Sequence, residues 1–215
     1  HPTLASALAA CASSPNATIV LASGVYRADA TLRLGHGASL VGAGPSTVVE
    51  SVAHTTLVCD GAARVADLAL RQLGDGDARP AAALEVRAGA LVVERCTLGA
   101  RSRAKAAAAV VARGGGAAPR LVGCTVAESG HAGVVLAGGA RATLEQTEVG
   151  GCAACGVLAK CFRMTAMGFE RDDAPNQPGV FVGTKRRSSA REAEYYREQV
   201  ILVETEHGDE EGFES

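Results

Sequence analysis

Three of the seven cysteines, Cys152, Cys155 and Cys161, fall in a C-x-x-C-x5-C pattern, with His131 a little upstream. Three thiolates and an imidazole make a ligand set that tetrahedral zinc accepts. The paired second C-x-x-C of a zinc module is missing, however. At a step of 23 residues Cys152 also matches Ser129 and Cys155 matches Ala132, so both thiols fill slots meant for small side chains. The expectation is that this group binds no metal and carries no redox chemistry, and that His131 is a solvated loop residue.

The carboxylates were searched for the other obvious chemistry, acid–base work or Ca²⁺ binding by acids grouped on one face. Asp60 and Asp67 lie near early strand patterns. Asp75 and Asp77 sit in a GDGD stretch with Arg71 and Arg79 close by, and Asp172 and Asp173 lie later. None of these recurs at a spacing that would stack them. GDGD lacks the other oxygen ligands of a Ca²⁺ loop and reads as a surface turn, since Asp and Gly are turn residues. No catalytic or metal-ligating residue is therefore nominated, no cofactor is expected, and the ligand-binding residues stay undefined.

The elements that would position any such group follow from a repeat. Ala66–Leu70, Glu94–Leu98, Val122–Val126 and Glu145–Val149 align on Leu68, Cys96, Cys124 and Thr147, at steps of 28, 28 and 23. Each segment alternates and reads as one strand. A second strand follows in each unit: Ala83–Val86, Ala109–Ala112, Gly133–Leu136 and Gly156–Ala159. Glycine-bearing turns separate them. Like segments recur a full unit apart, which excludes hairpins and favours parallel stacking of coil on coil, about 4.8 Å apart. Leu68, Cys96, Cys124 and Thr147 are expected at equivalent positions on one parallel sheet. Taken alone, Lys105–Ala112 also suits a helix.

Composition agrees with close, repeated packing. The 215 residues are 47% hydrophobic but only 3% aromatic, with 26 Gly and no Trp. A net charge of -2 calls for neither nucleic acid nor an anionic membrane, and no apolar run approaches the ~20 residues of a membrane span. An odd number of cysteines argues against a disulfide scaffold, so a reducing, intracellular setting is expected. Residue 1 is His, so the chain reads as a fragment or a processed product.

The opening, Leu4–Ala12, then Thr18–Tyr26, then Ser39–Gly44, resembles the entry to pectate-lyase-like β-helix proteins, where a short amphipathic helix caps the first coil. Leu4, Leu8 and Cys11 have helical spacing and Thr3 is a plausible N-cap. Pro119–Leu136 and Ala142–Ala159 resemble the β-helix repeats of carbohydrate-binding and sugar-hydrolase proteins and of F-box adaptors. The resemblance spans about residues 3 to 159. It implies an all-β fold, a right-handed single-stranded parallel β-helix with a short N-terminal capping helix. This chain departs from the family in its turns, where Cys, Glu or Gly replaces Asn, so no Asn ladder is expected.

The expected organisation is a cap over residues 1–15, coils over 16–183, a polar excursion over 184–199 and a last strand with a frayed acidic end over 200–215. Gly179–Val182 lies 23 residues after Gly156–Ala159, Met164–Phe169 stands in for Leu144–Val149, and Val200–Val203 supplies a further strand. Ser189 suits the cap of a short helix over Ala190–Gln199. The competing reading is a disordered charged tail from about Lys160.

Such a fold hosts lyases, hydrolases and non-enzymatic binders alike. Sugar-binding faces present aromatic rings, whereas Tyr26, Tyr195, Tyr196 and the four Phe form no stripe at coil spacing. The expected function is a non-catalytic interaction module whose partner is a protein. The alternative is a degenerate or fragmentary polysaccharide lyase or glycoside hydrolase, with a polysaccharide as its partner.

Overall fold

Strand pairing recurs in threes along the chain. The computed structural model describes residues 3–12, 14, 16–74, 81–101, 107–165, 168–172, 181–182 and 200–203, with side chains described through residue 159. The first coil is β1 (Thr18–Leu21), β2 (Gly24–Ala28) and β3 (Leu32–Leu34), and the second is β4 (Ser39–Gly42), β5 (Thr47–Ser51) and β6 (Thr55–Cys59). The third is β7 (Ala63–Ala66), β8 (Ala69–Gln72) and β9 (Ala82–Val86), and the fourth is β10 (Leu91–Glu94), β11 (Thr97–Ala100) and β12 (Ala108–Arg113). The fifth is β13 (Arg120–Val122), β14 (Thr125–Ala127) and β15 (Ala132–Ala137), and the sixth is β16 (Ala142–Glu145), β17 (Glu148–Val149) and β18 (Cys155–Thr165). First strands stack into sheet A, second strands into sheet B and third strands into sheet C, with parallel pairing from coil to coil. The chain is a parallel β-solenoid of about five turns, as its repeat implies.

Each sheet sends a column of apolar side chains inward. Sheet A stacks Ile19, Leu40, Val65, Val93, Leu121 and Leu144 in register, and sheet B stacks Val49, Leu70, Leu98 and Val126. Sheet C stacks Leu32, Leu57, Leu84, Val110, Val134 and Val157. These residues form one continuous core. Leucine, valine and alanine fill most of it, with like residues one strand spacing apart on successive coils. Register fixes the coil lengths as well: steps of 21 (Ile19 to Leu40), 25 (Leu40 to Val65), 28, 28 and 23 residues along sheet A. The first step is thus shorter than the 23 to 28 residues read from the repeat.

The open apolar end of the first coil is covered by α1 (Leu4–Cys11), which packs on β1, β2 and β3 and buries Leu8 in the core. Thr3 caps it, its Oγ1 accepting from the Ser6 backbone N–H at 3.1 Å while the Ser6 hydroxyl accepts from the Thr3 N–H at 3.3 Å.

Two expectations are corrected. The segments around Leu68, Cys96, Cys124 and Thr147 are not single strands within a sheet. Each spans the corner between sheets A and B. The residue before the aligned one, Asp67, Arg95, Gly123 or Gln146, takes a positive φ of 47° to 59°. That single left-handed residue turns the chain, so two successive residues face outward and the next faces the core again. Thr97 N–H donates to the Leu68 carbonyl and Thr125 N–H to that of Cys96, so the four aligned positions do stack in order. The Cys96 and Cys124 thiols donate to the carbonyls of Glu94 and Val122, at 3.2 and 3.5 Å, and the Thr147 hydroxyl does the same to Glu145 at 2.9 Å. A small side chain with an S–H or O–H thus satisfies a carbonyl turned aside by the corner.

The second correction concerns Met164–Phe169, which does not stand in for Leu144–Val149. Strand β18 runs on to Thr165 and pairs antiparallel with β19 (Gly168–Asp172), Met164 opposite Phe169. The step of 23 still places β20 (Phe181–Val182) parallel to β18, Leu158 beside Phe181. Strand β21 (Val200–Val203) joins sheet A beside β16, Leu144 beside Leu202. The excursion over 184–199 and the acidic end after Val203 lie outside the described residues. The helical option for Lys105–Ala112 gives way to strand from Ala108 onward, where Val110 joins the sheet C column.

Candidate functional site

The outward side chains of sheet C form a column that changes character along the stack: Arg33, Val58, Glu85, Val111, Val135 and Leu158 are register partners in turn. At the polar end lies an open groove of about 330 Å³, lined by Arg33, Glu85, Arg87 and Arg113, by His54, Thr31 and Thr55, and by Val58. Each charged group comes from a different coil or the end of a strand. Arg33 is on β3, Glu85 on β9, Arg87 directly after β9, and Arg113 closes β12.

Glu85 is the hub. Its carboxylate accepts from Arg87 Nη2 at 3.1 Å and from the Thr55 hydroxyl at 3.5 Å, and lies 3.4 Å from Arg113 Nε. The Glu85 side chain is 13% exposed, whereas those of Arg87 and Arg113 are 45% and 48% exposed. One buried carboxylate thus holds two guanidinium heads that still face solvent. A guanidinium has five N–H donors, so most remain available. The Glu85 carboxylate beside Arg87, with Asp60 further off, pushes the Arg87 guanidinium above its already high ordinary pKa. Arg33 donates to Asp60 at 3.0 Å.

The residues singled out from sequence are scattered. Asp60 follows β6 at the edge of the groove. Asp67 lies at the opposite side, in the corner between sheets A and B, where it is clasped by Arg95. Arg71 is on β8 in sheet B. Asp75, Asp77, Arg79 and Asp173 lie outside the described residues, as do Tyr195 and Tyr196, and Asp172 is placed only by its backbone on β19. Cys155 is the register partner of Ala132, and Ala153 N–H donates to Ser129 beside the Cys152 slot, the positions read from the 23-residue step. Cys161 is placed by its backbone on β18, opposite Asp172. Among the described residues no three His, Cys, Asp or Glu side chains converge as metal ligands.

The charge of the groove comes mainly from arginines on sheet C and not from acids at coil spacing. Arg87 and Arg113 are 26 residues apart, one sheet C step, which the sequence displays openly.

Elsewhere the surface carries Arg–carboxylate pairs between neighbouring coils: Arg27–Glu50 at 2.8 Å, Arg64–Glu94 at 2.6 Å, Arg101–Glu128 at 2.6 Å and Arg120–Glu145 at 2.5 Å. The arginine partners hold the carboxyls of Asp67, Glu128 and Glu145 below the usual carboxylate range.

No family model, no curated protein and no solved structure matches this chain.

Proposed function

We propose that this solenoid is a non-catalytic interaction module that binds a protein partner through the groove on sheet C. The observation that carries the reading is geometric: Glu85 holds Arg87 at 3.1 Å and Arg113 at 3.4 Å, two cations fixed by one carboxylate. A proton-abstracting base must give up and regain a proton near the working pH. Glu85 instead stabilises the charged form of Arg87, which suits a fixed cation and not a base. Glu85 is equally committed, with Thr55, Arg87 and Arg113 all on its two oxygens. Such a cluster presents charge and hydrogen-bond donors without moving protons.

A second reading has one observation in its favour. Glu85 and Arg87 line the groove, and Asp60 beside it pairs with Arg33, so two carboxylates lie near basic residues. That is the composition a polysaccharide lyase of the pectate-lyase-like kind needs. The absence of aromatic side chains among the groove residues speaks against a sugar ligand.

The test is turnover of polygalacturonate by the purified chain, followed as ultraviolet absorbance of unsaturated product with and without Ca²⁺. No turnover is expected. A rate that disappears in Arg87→Ala would replace the binding reading by the lyase reading.

A further inference from the structure

We infer that the groove on sheet C recognises an extended acidic peptide, with carboxylates bound at Arg113 and Arg33. The inference rests on the binding reading given above and names the chemistry of the partner.

Three features of the groove carry it. First, Arg87 and Arg113 are neighbours on adjacent coils, about 4.8 Å apart at the backbone. Glu85 contacts Nη2 of one and Nε of the other, so both guanidinium groups are held in place while half-exposed side chains keep further N–H donors for an anion. Pre-orientation of this kind lowers the entropy cost of binding a carboxylate. Second, Arg33 stands three coils from Arg113, about 14 Å along the stack and two residues to the side, or about 16 Å between backbones, a span that two long arginine side chains narrow. Among the described residues it pairs with Asp60, which engages only part of its donor set, and its side chain is 65% exposed. An extended peptide advances about 3.4 Å per residue, so side chains at positions i and i+4 are also about 14 Å apart and on the same side. Third, the groove lining holds no Phe, Tyr or Trp ring for sugar stacking. Its floor between the two cationic ends is Val58 and, on the next coil, Glu85, whose carboxylate is already engaged by Thr55, Arg87 and Arg113.

The experiment measures fluorescence anisotropy of a fluorescein-labelled hexaglutamate peptide titrated with the full chain at low ionic strength. Competitors are unlabelled Gly/Ser peptides with two glutamates either four positions apart or adjacent. Binding is expected to weaken with added salt. Arg113→Ala and Arg33→Ala are each expected to weaken it about tenfold, roughly 1.4 kcal/mol. Arg113→Lys should recover part of the loss, because lysine keeps the charge but not the fork. Arg141→Ala, outside the groove, should leave it within about twofold, with circular dichroism confirming the fold of every variant. The peptide with glutamates four apart should compete better than the adjacent one. Absence of hexaglutamate binding, equal loss in Arg141→Ala, or no spacing preference would overturn the proposal. Arginine-dependent binding of polygalacturonate without turnover, in place of the peptide, would overturn the peptide assignment and leave a non-catalytic binding groove. Turnover of polygalacturonate lost in Arg87→Ala would remove both.

Discussion

Arg95 reaches back one coil to clasp Asp67, its Nε 2.7 Å from one carboxylate oxygen and its Nη2 2.8 Å from the other. The two residues are equivalents, 28 positions apart, each supplying the left-handed residue at its corner between sheets A and B. The pair therefore ties successive corners together from outside, while the backbone does so from within, Asp67 N–H donating to Glu94 and Arg95 N–H to Val122.

Acid should loosen the solenoid through these surface pairs. Asp67, Glu128 and Glu145 have folded pKa values below their ordinary 3.8, 4.5 and 4.5. A carboxylate more acidic folded than unfolded stabilises fully above its unfolded pKa, and the contribution is lost as pH falls through the depressed folded value. Thermal unfolding between pH 6 and pH 3 should show a melting temperature falling below about pH 4.5. The double replacement Asp67→Asn and Glu145→Gln should flatten that fall. Salt should weaken the same pairs modestly, because they face solvent.

Gly123→Ala isolates the cost of the corner. Gly123 takes φ +59°, and a Cβ there would meet nothing closer than Arg95 Cγ at 3.8 Å. Space is not the obstacle, so the loss reports backbone conformation alone. Urea unfolding should show a destabilisation of about 1 kcal/mol. A neutral result would mean that the corner holds alanine in the left-handed region without strain.

Leu98→Ala tests the stacking. Leu98 is fully buried between its register partners Leu70 and Val126. Truncation should cost about 3 kcal/mol, because neighbouring coils pinned by continuous ladders cannot collapse into the cavity. Thr3→Ala, which removes only the cap of α1, should cost about 1 kcal/mol in the same assay.

The interior thiols should resist alkylation until the chain unfolds. Burial pushes Cys59 and Cys96 up to about 12 and raises Cys124 as well. Thiolate is the reacting form, so little exists at pH 8. A short iodoacetamide pulse followed by peptide mass spectrometry should label Cys11, which is part-exposed, well before these three. Early labelling of Cys96 would mean that the corner between sheets A and B opens readily.

The sequence by itself determined the coil. An inward residue on one coil needs an inward residue one strand spacing away on the next, so the pattern must recur, and steps such as Cys96 to Cys124 and Val134 to Val157 are visible without coordinates. The capping helix was legible for a similar reason, since Thr3, Leu4 and Leu8 are close in sequence and act locally. The split of each corner segment into a sheet A strand and a sheet B strand was not. A corner made by one left-handed residue adds only a second outward position, Arg95 after Glu94, and three of the four such residues are not glycine. Local pattern cannot tell that from a strand. The 26-residue step from Arg87 to Arg113 is visible, but the rest of the groove was beyond reach for a different reason. Arg33, Glu85 and Arg113 are joined only by register, and coil lengths vary from 21 to 28 residues, so spacing alone does not say which level each side chain reaches. Tertiary structure decided that, because the backbone ladders, and not the side chains they carry, set where each coil lies on the last.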